Sequence, residues 1–460
     1  MKPENYDYGG GALQSTMHPV VVIALLVVIM LMLILSRKRI IIPFLIIVFM
    51  APIGQQIYFA GSHWLVLRIV IICGCLRMIS EKINNSNQII SGALNEIDKP
   101  FMLWACCTGL APILLFKTAD IIPLQIAFWI QSLGGYFCLR YLIDDIEDIV
   151  TVTKTFGLLT IIIGLCMVLE RLQGINIFGY LGGVSLEPLV RGGTIRARAG
   201  FVTPILPGCL GATLIPLFFW LWKSGRAKTL GITAIGASLV MVIFSASSTP
   251  LWALMGVIVS LMLWRFRGAM HRVRWGLVIT LIVLVITMKA PPWFLIARVN
   301  LTGASDSYGR AMLIDGFFRH FTDWWLFGTN HTGSYGDDMW DLSNMFVNVG
   351  ESGGVVALIA FIGIISKSFS QLGKRRKQVE GDREQEWLFW CLCAVMVGHL
   401  CAFFGVSYFD QTQVWWFTTL AMVSATMMKY VGRPPVKASK WQTGRIGPRY
   451  GGLLSEARKT

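Results

Sequence analysis

The chain has 460 residues, of which 55% are apolar and 14% are charged, and its mean hydropathy is +0.63. Soluble globular proteins carry about 25% charged residues, so this composition excludes an ordinary soluble protein and indicates a polytopic membrane protein. The 40 Lys and Arg residues outnumber the 25 Asp and Glu residues, which gives a net charge of +15. In a membrane protein such an excess follows from loop orientation, and we expect no nucleic-acid partner.

Apolar runs separated by breakers and charges predict the membrane-spanning helices. They indicate an all-α, polytopic transmembrane helix bundle of 12–13 spans in a single transmembrane domain over residues 1–430, followed by a basic cytoplasmic tail at 431–460. The predicted spans lie near 17–35, 40–60, 64–79, 101–116, 121–143, 155–170, 201–222, 228–246, 250–264, 274–290, 345–366, 386–405 and 411–430.

The basic residues predict the orientation of these spans. They concentrate in alternate loops, for example at Arg37 to Arg39 and in the four arginines between 265 and 274. The positive-inside rule then places the N-terminus outside and the C-terminus inside. Tryptophans near the predicted span ends, among them Trp220, Trp324, Trp415 and Trp416, predict an aromatic belt at the membrane interfaces.

The outer loop at 171–200 carries positive charge on the side where it is normally scarce. Arg191, Arg196 and Arg198 surround the flexible pair Gly192-Gly193. Guanidinium groups form paired hydrogen bonds with phosphate oxygens, so this loop indicates a site for an anionic lipid headgroup or a diphosphate. The alternative is that the arginines only reach outer-leaflet headgroups by snorkelling.

The outer loop at 291–344 contains a second group of candidates. Residues 307–320 predict a short amphipathic helix that presents Arg310, Asp315 and Arg319. A segment rich in glycine and polar residues follows and leads into the next span, where Glu351 is a costly intramembrane carboxylate with either a functional role or a partner on a neighbouring helix.

Asp337, Asp338 and Asp341 have the DDxxD spacing that can hold magnesium on a prenyl diphosphate. The motif occurs once and lies beside glycines, which favours a solvated turn, and we assign no metal and no cofactor. The small hydroxyl residues Ser245 to Ser248 predict a helix cap. His399 is expected to form a hydrogen bond with a neighbouring helix.

These motifs resemble the O-antigen ligase and polysaccharide polymerase superfamily of bacterial inner-membrane proteins. The resemblance lies in their order along the chain and in the side of the membrane predicted for each. The resemblance runs from about residue 191 to 413. It rests on the Arg-Gly entry with Phe201-Val-Thr-Pro204 and Gly208, the turn Ser245-Ala-Ser-Ser248, Arg310, Leu326-Phe-Gly328, the exit Asp341-Leu-Ser343-Asn344, and Glu351 with Gly353-Gly354.

The resemblance implies a helix bundle of the membrane glycosyltransferase (GT-C-like) type. Such proteins move a glycan from a polyprenyl diphosphate carrier to an acceptor sugar at the periplasmic face, without a nucleotide sugar or a required metal. Arg310 would hold the carrier diphosphate, and Asp341 or His331 would act toward the acceptor. Further substrate contacts would come from Arg191, Arg196, Arg198, Arg319, Asn344 and Glu351.

One departure bears on the subtype. Ligases of this superfamily typically have His-Asn before the span, whereas this chain has Ser343-Asn344. We therefore expect a polymerase of lipid-linked oligosaccharide repeat units, with a ligase to a lipid or protein acceptor as the alternative. From another class, a lipid-linked oligosaccharide flippase or a secondary transporter would also need many helices. Expected partners are the polyprenyl-diphosphate-linked glycan, an acceptor glycan, membrane lipids, and chain-length regulator or export proteins.

Overall fold

The computed structural model describes residues 16–59, 62–84, 94–295, 307–329 and 343–427, and these residues form an all-α bundle with two small hairpins. The hairpins pair β1 (Gln56–Phe59) with β2 (Ser62–Leu65) and β3 (Leu189–Arg191) with β4 (Thr194–Arg196). The helices are α1 (Pro19–Ile34), α2 (Arg37–Met50), α3 (Val66–Asn84), α4 (Asp98–Phe116), α5 (Ile121–Leu142), α6 (Ile146–Gln173), α7 (Ile205–Lys223), α8 (Lys228–Phe244), α9 (Ser248–Met262), α10 (Met270–Thr287), α11 (Ser307–Arg319), α12 (Phe321–Trp324), α13 (Met345–Gln378), α14 (Arg383–Phe403) and α15 (Asp410–Ala425).

Within the described residues, 7 helices are long and apolar enough to cross a membrane. They are α4, α5, α6, α7, the combined stretch Ser248–Thr287, α13 and α14. The shorter helices α1 and α8 are also apolar. The fold is therefore compatible with a multi-pass helical membrane protein.

Every predicted span overlaps a helix, but the prediction for 40–60 is wrong in its second half. Helix α2 ends at Met50, and Gln56 to Phe59 form a strand instead. Pro52 disfavours helical backbone at Ala51, which is extended at φ −76° and ψ 127°. The predicted helix at 307–320 is confirmed as α11.

Ion pairs gather at one end of the bundle, which we call the ion-pair end. Arg226 bridges two helix starts there, because it donates to Glu147 at 2.8 Å and to Glu384 at 2.7 Å. Arg37 pairs with Asp148 at 3.3 Å, and the buried Arg140 pairs with Asp98 at 3.3 Å. These contacts join the starts of α2, α4, α6 and α14 to the ends of α5 and α7.

Hydrogen bonds between loops and helix ends close the opposite end, which we call the loop end. Gln411 Nε2 donates to Ala51 O at 3.3 Å and to Gly200 O at 3.5 Å. Thr249 Oγ1 donates to Gly405 O at 3.3 Å, and Ala197 N donates to Phe244 O at 3.0 Å. The predicted outer loop at 171–200 lies at this end.

The predicted aromatic belt is wrong for Trp220, Trp324, Trp415 and Trp416, which are all buried. The indole N–H groups of Trp220, Trp324 and Trp415 have partners there, as when Trp415 Nε1 donates to Thr213 Oγ1 at 2.8 Å. An indole whose N–H is satisfied packs well in an interior. The prediction for His399 is confirmed, because its ring nitrogens lie 3.1 Å from Tyr408 Oη and 3.1 Å from Thr419 Oγ1.

The buried pair at the ion-pair end gives a test of the packing. Asp98 is 0% exposed and accepts hydrogen bonds from Tyr136 Oη at 2.6 Å and from Arg140. We expect Asp98→Ala to destabilise the protein by about 3–5 kcal/mol, because the buried charge of Arg140 loses this ion pair. Glu96→Ala removes the exposed ion pair with Lys367 and should cost less than about 1 kcal/mol. Unfolding of both variants in detergent measures the difference, and equal losses would contradict the prediction.

Candidate anion-binding site

The β3–β4 hairpin places two of the predicted arginines at the loop end. Arg191 ends β3 and Arg196 ends β4. Gly192 and Gly193, at φ +57° and +73°, form the two-residue turn between the strands. Two positive φ angles are what a tight hairpin turn needs, and glycine adopts them without steric cost.

Polar groups from α6 and α8 fix this hairpin in position. Arg171 donates from its guanidinium to Ile195 O. The carboxylate of Glu170 accepts hydrogen bonds from Arg198 N at 3.0 Å and Ala199 N at 2.9 Å. Sequence reasoning did not single out Glu170 or Arg171, although an adjacent charged pair inside an otherwise apolar run is a visible signal.

Arg196 lies at the centre of the site. Its Nη2 donates to Ser247 Oγ at 2.6 Å, and its buried Nε has no hydrogen-bond partner among the described residues. Burial lowers the pKa of Arg196, and the positive charges of Arg191 and Arg310 lower it further. Arg191 and Arg310 are therefore each close enough to Arg196 to repel its charge.

Arg310 reaches this position from a distant part of the sequence. It lies in the first turn of α11, which packs through Leu313, Ile314 and Phe317 against Trp324 and Val347. This small core attaches α11 to the start of α13. The structure thus brings together Arg191, Arg196 and Arg310, which we call the arginine cluster.

Arg191 and Arg196 lack acidic partners within the described part of the chain. No described carboxylate forms an ion pair with Arg191 or Arg196, and the charges that act on Arg196 are both positive. Like charges held together in this way favour binding of an anion with several oxygens. A phosphate or diphosphate group has that chemistry, and arginine can bind it with paired hydrogen bonds.

Two other predicted arginines have different surroundings. The Arg198 side chain is buried and donates to Val202 O at 3.2 Å and Ser185 O at 3.5 Å, so it holds its own loop. Arg319 is exposed and pairs with Asp315 one turn earlier on α11. Their roles as substrate contacts stay predictions.

Asn344 acts as the N-cap of α13. Its Oδ1 accepts from Phe346 N at 3.0 Å and Val347 N at 3.2 Å, and its Nδ2 donates to Phe404 O at 3.5 Å. These bonds satisfy backbone groups at the helix start. A substrate contact by Asn344 stays a prediction.

Ser247 differs from the predicted helix cap. It occupies the N-cap position of α9 without a capping hydrogen bond from its side chain. Its hydroxyl instead donates to Ser245 O at 2.9 Å and accepts from Arg196. Ser247 is therefore a component of the site, and the sequence did not indicate that its partner is Arg196.

Glu351 is 3% exposed, and neither carboxylate oxygen has a hydrogen-bond partner among the described residues. Its backbone carbonyl accepts from Thr329 N at 2.8 Å. The loop residues 330–342, which follow Thr329, lie outside the described part of the chain. They include His331, Asp337, Asp338 and Asp341. The backbone of Glu351 thus contacts Thr329, the last described residue before that segment.

Two glycines allow the loop after α12 to approach α13. Gly354 interrupts the helix at φ +76° and ψ −176°, and Val355 N donates to Trp325 O at 2.8 Å. A Cβ atom at Gly354 would lie 2.3 Å from Leu326 O, and one at Gly328 would lie 2.0 Å from Glu351 O. The segments 326–328 and 351–354 can therefore approach each other this closely only because residues 328 and 354 are glycines.

The sequence matches no protein-family model, and no curated protein matches it.

The glycine contact can be tested by substitution. We expect Gly354→Ala to destabilise the protein by about 1–3 kcal/mol or more, because alanine is strained at this φ and its Cβ would clash with Leu326 O. Gly373→Ala, on the same helix with open space around it, should be neutral or slightly stabilising. Thermal unfolding in detergent separates the two variants. If Gly354→Ala has the same melting temperature as the parent protein, the non-helical backbone at Gly354 does not constrain this region.

Proposed function

We propose that this chain is a membrane glycosyltransferase of the O-antigen ligase and polysaccharide polymerase type, with a GT-C-like fold. It polymerises polyprenyl-diphosphate-linked oligosaccharide repeat units into a surface polysaccharide or exopolysaccharide. The reaction takes place at the periplasmic face of the bacterial inner membrane, with the N-terminus outside and the C-terminus inside. The partners are the lipid-linked donor, the acceptor glycan, membrane lipids, and chain-length regulator or export proteins.

The observation that carries this proposal is the proximity of both Arg191 and Arg310 to Arg196. The loop 171–200 and the loop 291–344 were each assigned to the outer side from sequence. Their arginines meet at one place, without a described carboxylate partner for Arg191 or Arg196. A diphosphate that must leave with its negative charge requires such donors in fixed positions.

Contacts among the other residues on which the family resemblance rests support the same proposal. A Cβ atom at Gly208 would lie 2.7 Å from Ser245 Oγ, and Arg196 binds Ser247 in the same turn. Gly328 and Gly354 bring the loop after α12 against α13. These pieces are far apart in the sequence, and each pair forms part of the loop end.

The proposed reaction forms one bond and breaks another at the same sugar carbon. An acceptor hydroxyl attacks the anomeric carbon of the lipid-linked glycan, and the bond from that carbon to the diphosphate breaks. The arginine cluster stabilises the departing lipid diphosphate. The hydroxyl proton passes to Asp341 or His331, and a positioned base of this kind typically accelerates a reaction by about 10²–10⁴-fold.

Polymerase and ligase activity differ in the acceptor. Asn344 caps α13, and Ser343 precedes it where ligases of the superfamily typically have histidine. This departure favours the polymerase. A flippase or transporter is a weaker candidate, because the arginine cluster lies in the loop segments and not along the spans.

The arginine cluster gives the first functional test. We expect Arg196→Ala and Arg310→Ala each to reduce polymerisation by about 10²-fold or more, because each removes a donor to the leaving diphosphate. Lys289→Ala is the control, since Lys289 is an exposed cation that follows α10 and forms no ion pair with a described carboxylate. The measurement is the polysaccharide chain-length ladder from a deletion strain that expresses each variant. An unchanged ladder for Arg310→Ala would show that the diphosphate role is wrong.

The accumulated intermediate tests the reaction type. In a strain without this chain, a polymerase deficiency should leave single repeat units on the lipid carrier. A ligase deficiency should leave full-length polymer on the carrier, and a flippase deficiency should leave repeat units on the cytoplasmic leaflet. Mass spectrometry of extracted carrier lipids, combined with leaflet-selective labelling, distinguishes these results.

A further inference from the structure

Helix α10 differs from the other long helices of the described chain because none of its residues is buried. Its large apolar side chains are exposed on every side, including Leu277 at 66%, Leu281 at 57% and Ile286 at 76%. A helix that is apolar all round needs an apolar environment. With 18 residues it spans roughly 27 Å, close to the thickness of a bilayer hydrocarbon core.

The side chains of α10 favour lipid over another helix as this environment. Helices that associate within membranes use small residues at their contact surfaces. From Leu277 to Thr287, α10 consists of bulky aliphatic residues and threonine, and Gly276 is its one glycine. Such a surface fits flexible acyl chains better than a second rigid helix.

Arginines surround the start of α10 at the ion-pair end. Arg267 is already engaged, because it pairs with Glu386 at 3.1 Å and lies 4.4 Å over the ring of Trp264. Arg265, Arg272 and Arg274 are exposed, and none of them forms an ion pair with a described carboxylate. We call these three residues the arginine collar.

The position of the arginine collar favours binding of an anion. The first turn of α10 contains no acidic residue. The start of a helix carries partial positive charge, so basic residues there repel the helix dipole as well as one another. Two copies of the chain packed side by side through α10 would also bring two collars to the same depth, which disfavours a dimer through this helix.

We propose that α10 and the arginine collar form a binding site for anionic phospholipid. The acyl chains lie along the apolar surface of α10, and the phosphate headgroups bind Arg265, Arg272 and Arg274. This site is at the opposite end of the bundle from the arginine cluster. The proposal is therefore independent of the glycosyltransferase activity.

Native mass spectrometry of the detergent-purified full chain with dioleoylphosphatidylglycerol tests the site. We expect the triple variant Arg265→Gln, Arg272→Gln and Arg274→Gln to bind this lipid at least ten-fold more weakly. Each basic residue near an anionic lipid surface contributes about five-fold in affinity. Binding of dioleoylphosphatidylcholine should be equal in both proteins, and inorganic phosphate should not displace the bound lipid.

The control variant is Arg39→Gln, Lys82→Gln and Lys228→Gln, which removes the same charge from exposed positions in other helices. It should bind dioleoylphosphatidylglycerol as the parent protein does. If the collar variant fails to fold, the substitution of the same three arginines by lysine should retain most of the binding. Equal binding by the collar and control variants, or a lipid-free dimer that the collar variant disrupts, would overturn the proposal.

Discussion

The gathering of positive charge around Arg196 is the constraint that the contacts of the loop end must satisfy. Arg191 and Arg310 each act on Arg196 through positive charge, and Arg196 is partly withdrawn from water. Such an arrangement persists because neighbouring contacts hold it in place. Glu170 holds the backbone of the hairpin loop, Ser247 binds Arg196, and the small core beneath α11 carries Arg310.

The sequence was sufficient to predict the helices but not all of their ends. Each apolar run is bounded by a breaker, and the helices alternate between the two ends of the bundle as the loops predicted. The error at 40–60 arose from treating hydropathy as continuous across Pro52 and Gly54. Residues 56–59 are apolar enough to extend a span, yet they pair with β2 because the chain has already turned.

The candidate site was predictable only in part. The excess of arginine in two loops predicted to lie outside put Arg191, Arg196 and Arg310 on one predicted side, whereas the approach of Arg310 to Arg196 depends on the tertiary packing of α11. Asn344 followed by a helix is a local capping signal that the sequence already contained. The burial of Trp415 could not be predicted, because the same indole suits a membrane interface or an interior with a threonine acceptor.

Because the two ends of the bundle differ in the sign of their main electrostatic interactions, ionic strength acts on them in opposite directions. Mobile ions screen the exposed attractions of Lys38 with Asp145 and of Arg226 with Glu384. The same ions relieve the mutual repulsion of the exposed part of the arginine cluster. A single melting temperature followed against salt concentration thus reports the sum of a loss and a gain, and a flat curve would conceal two opposing local effects.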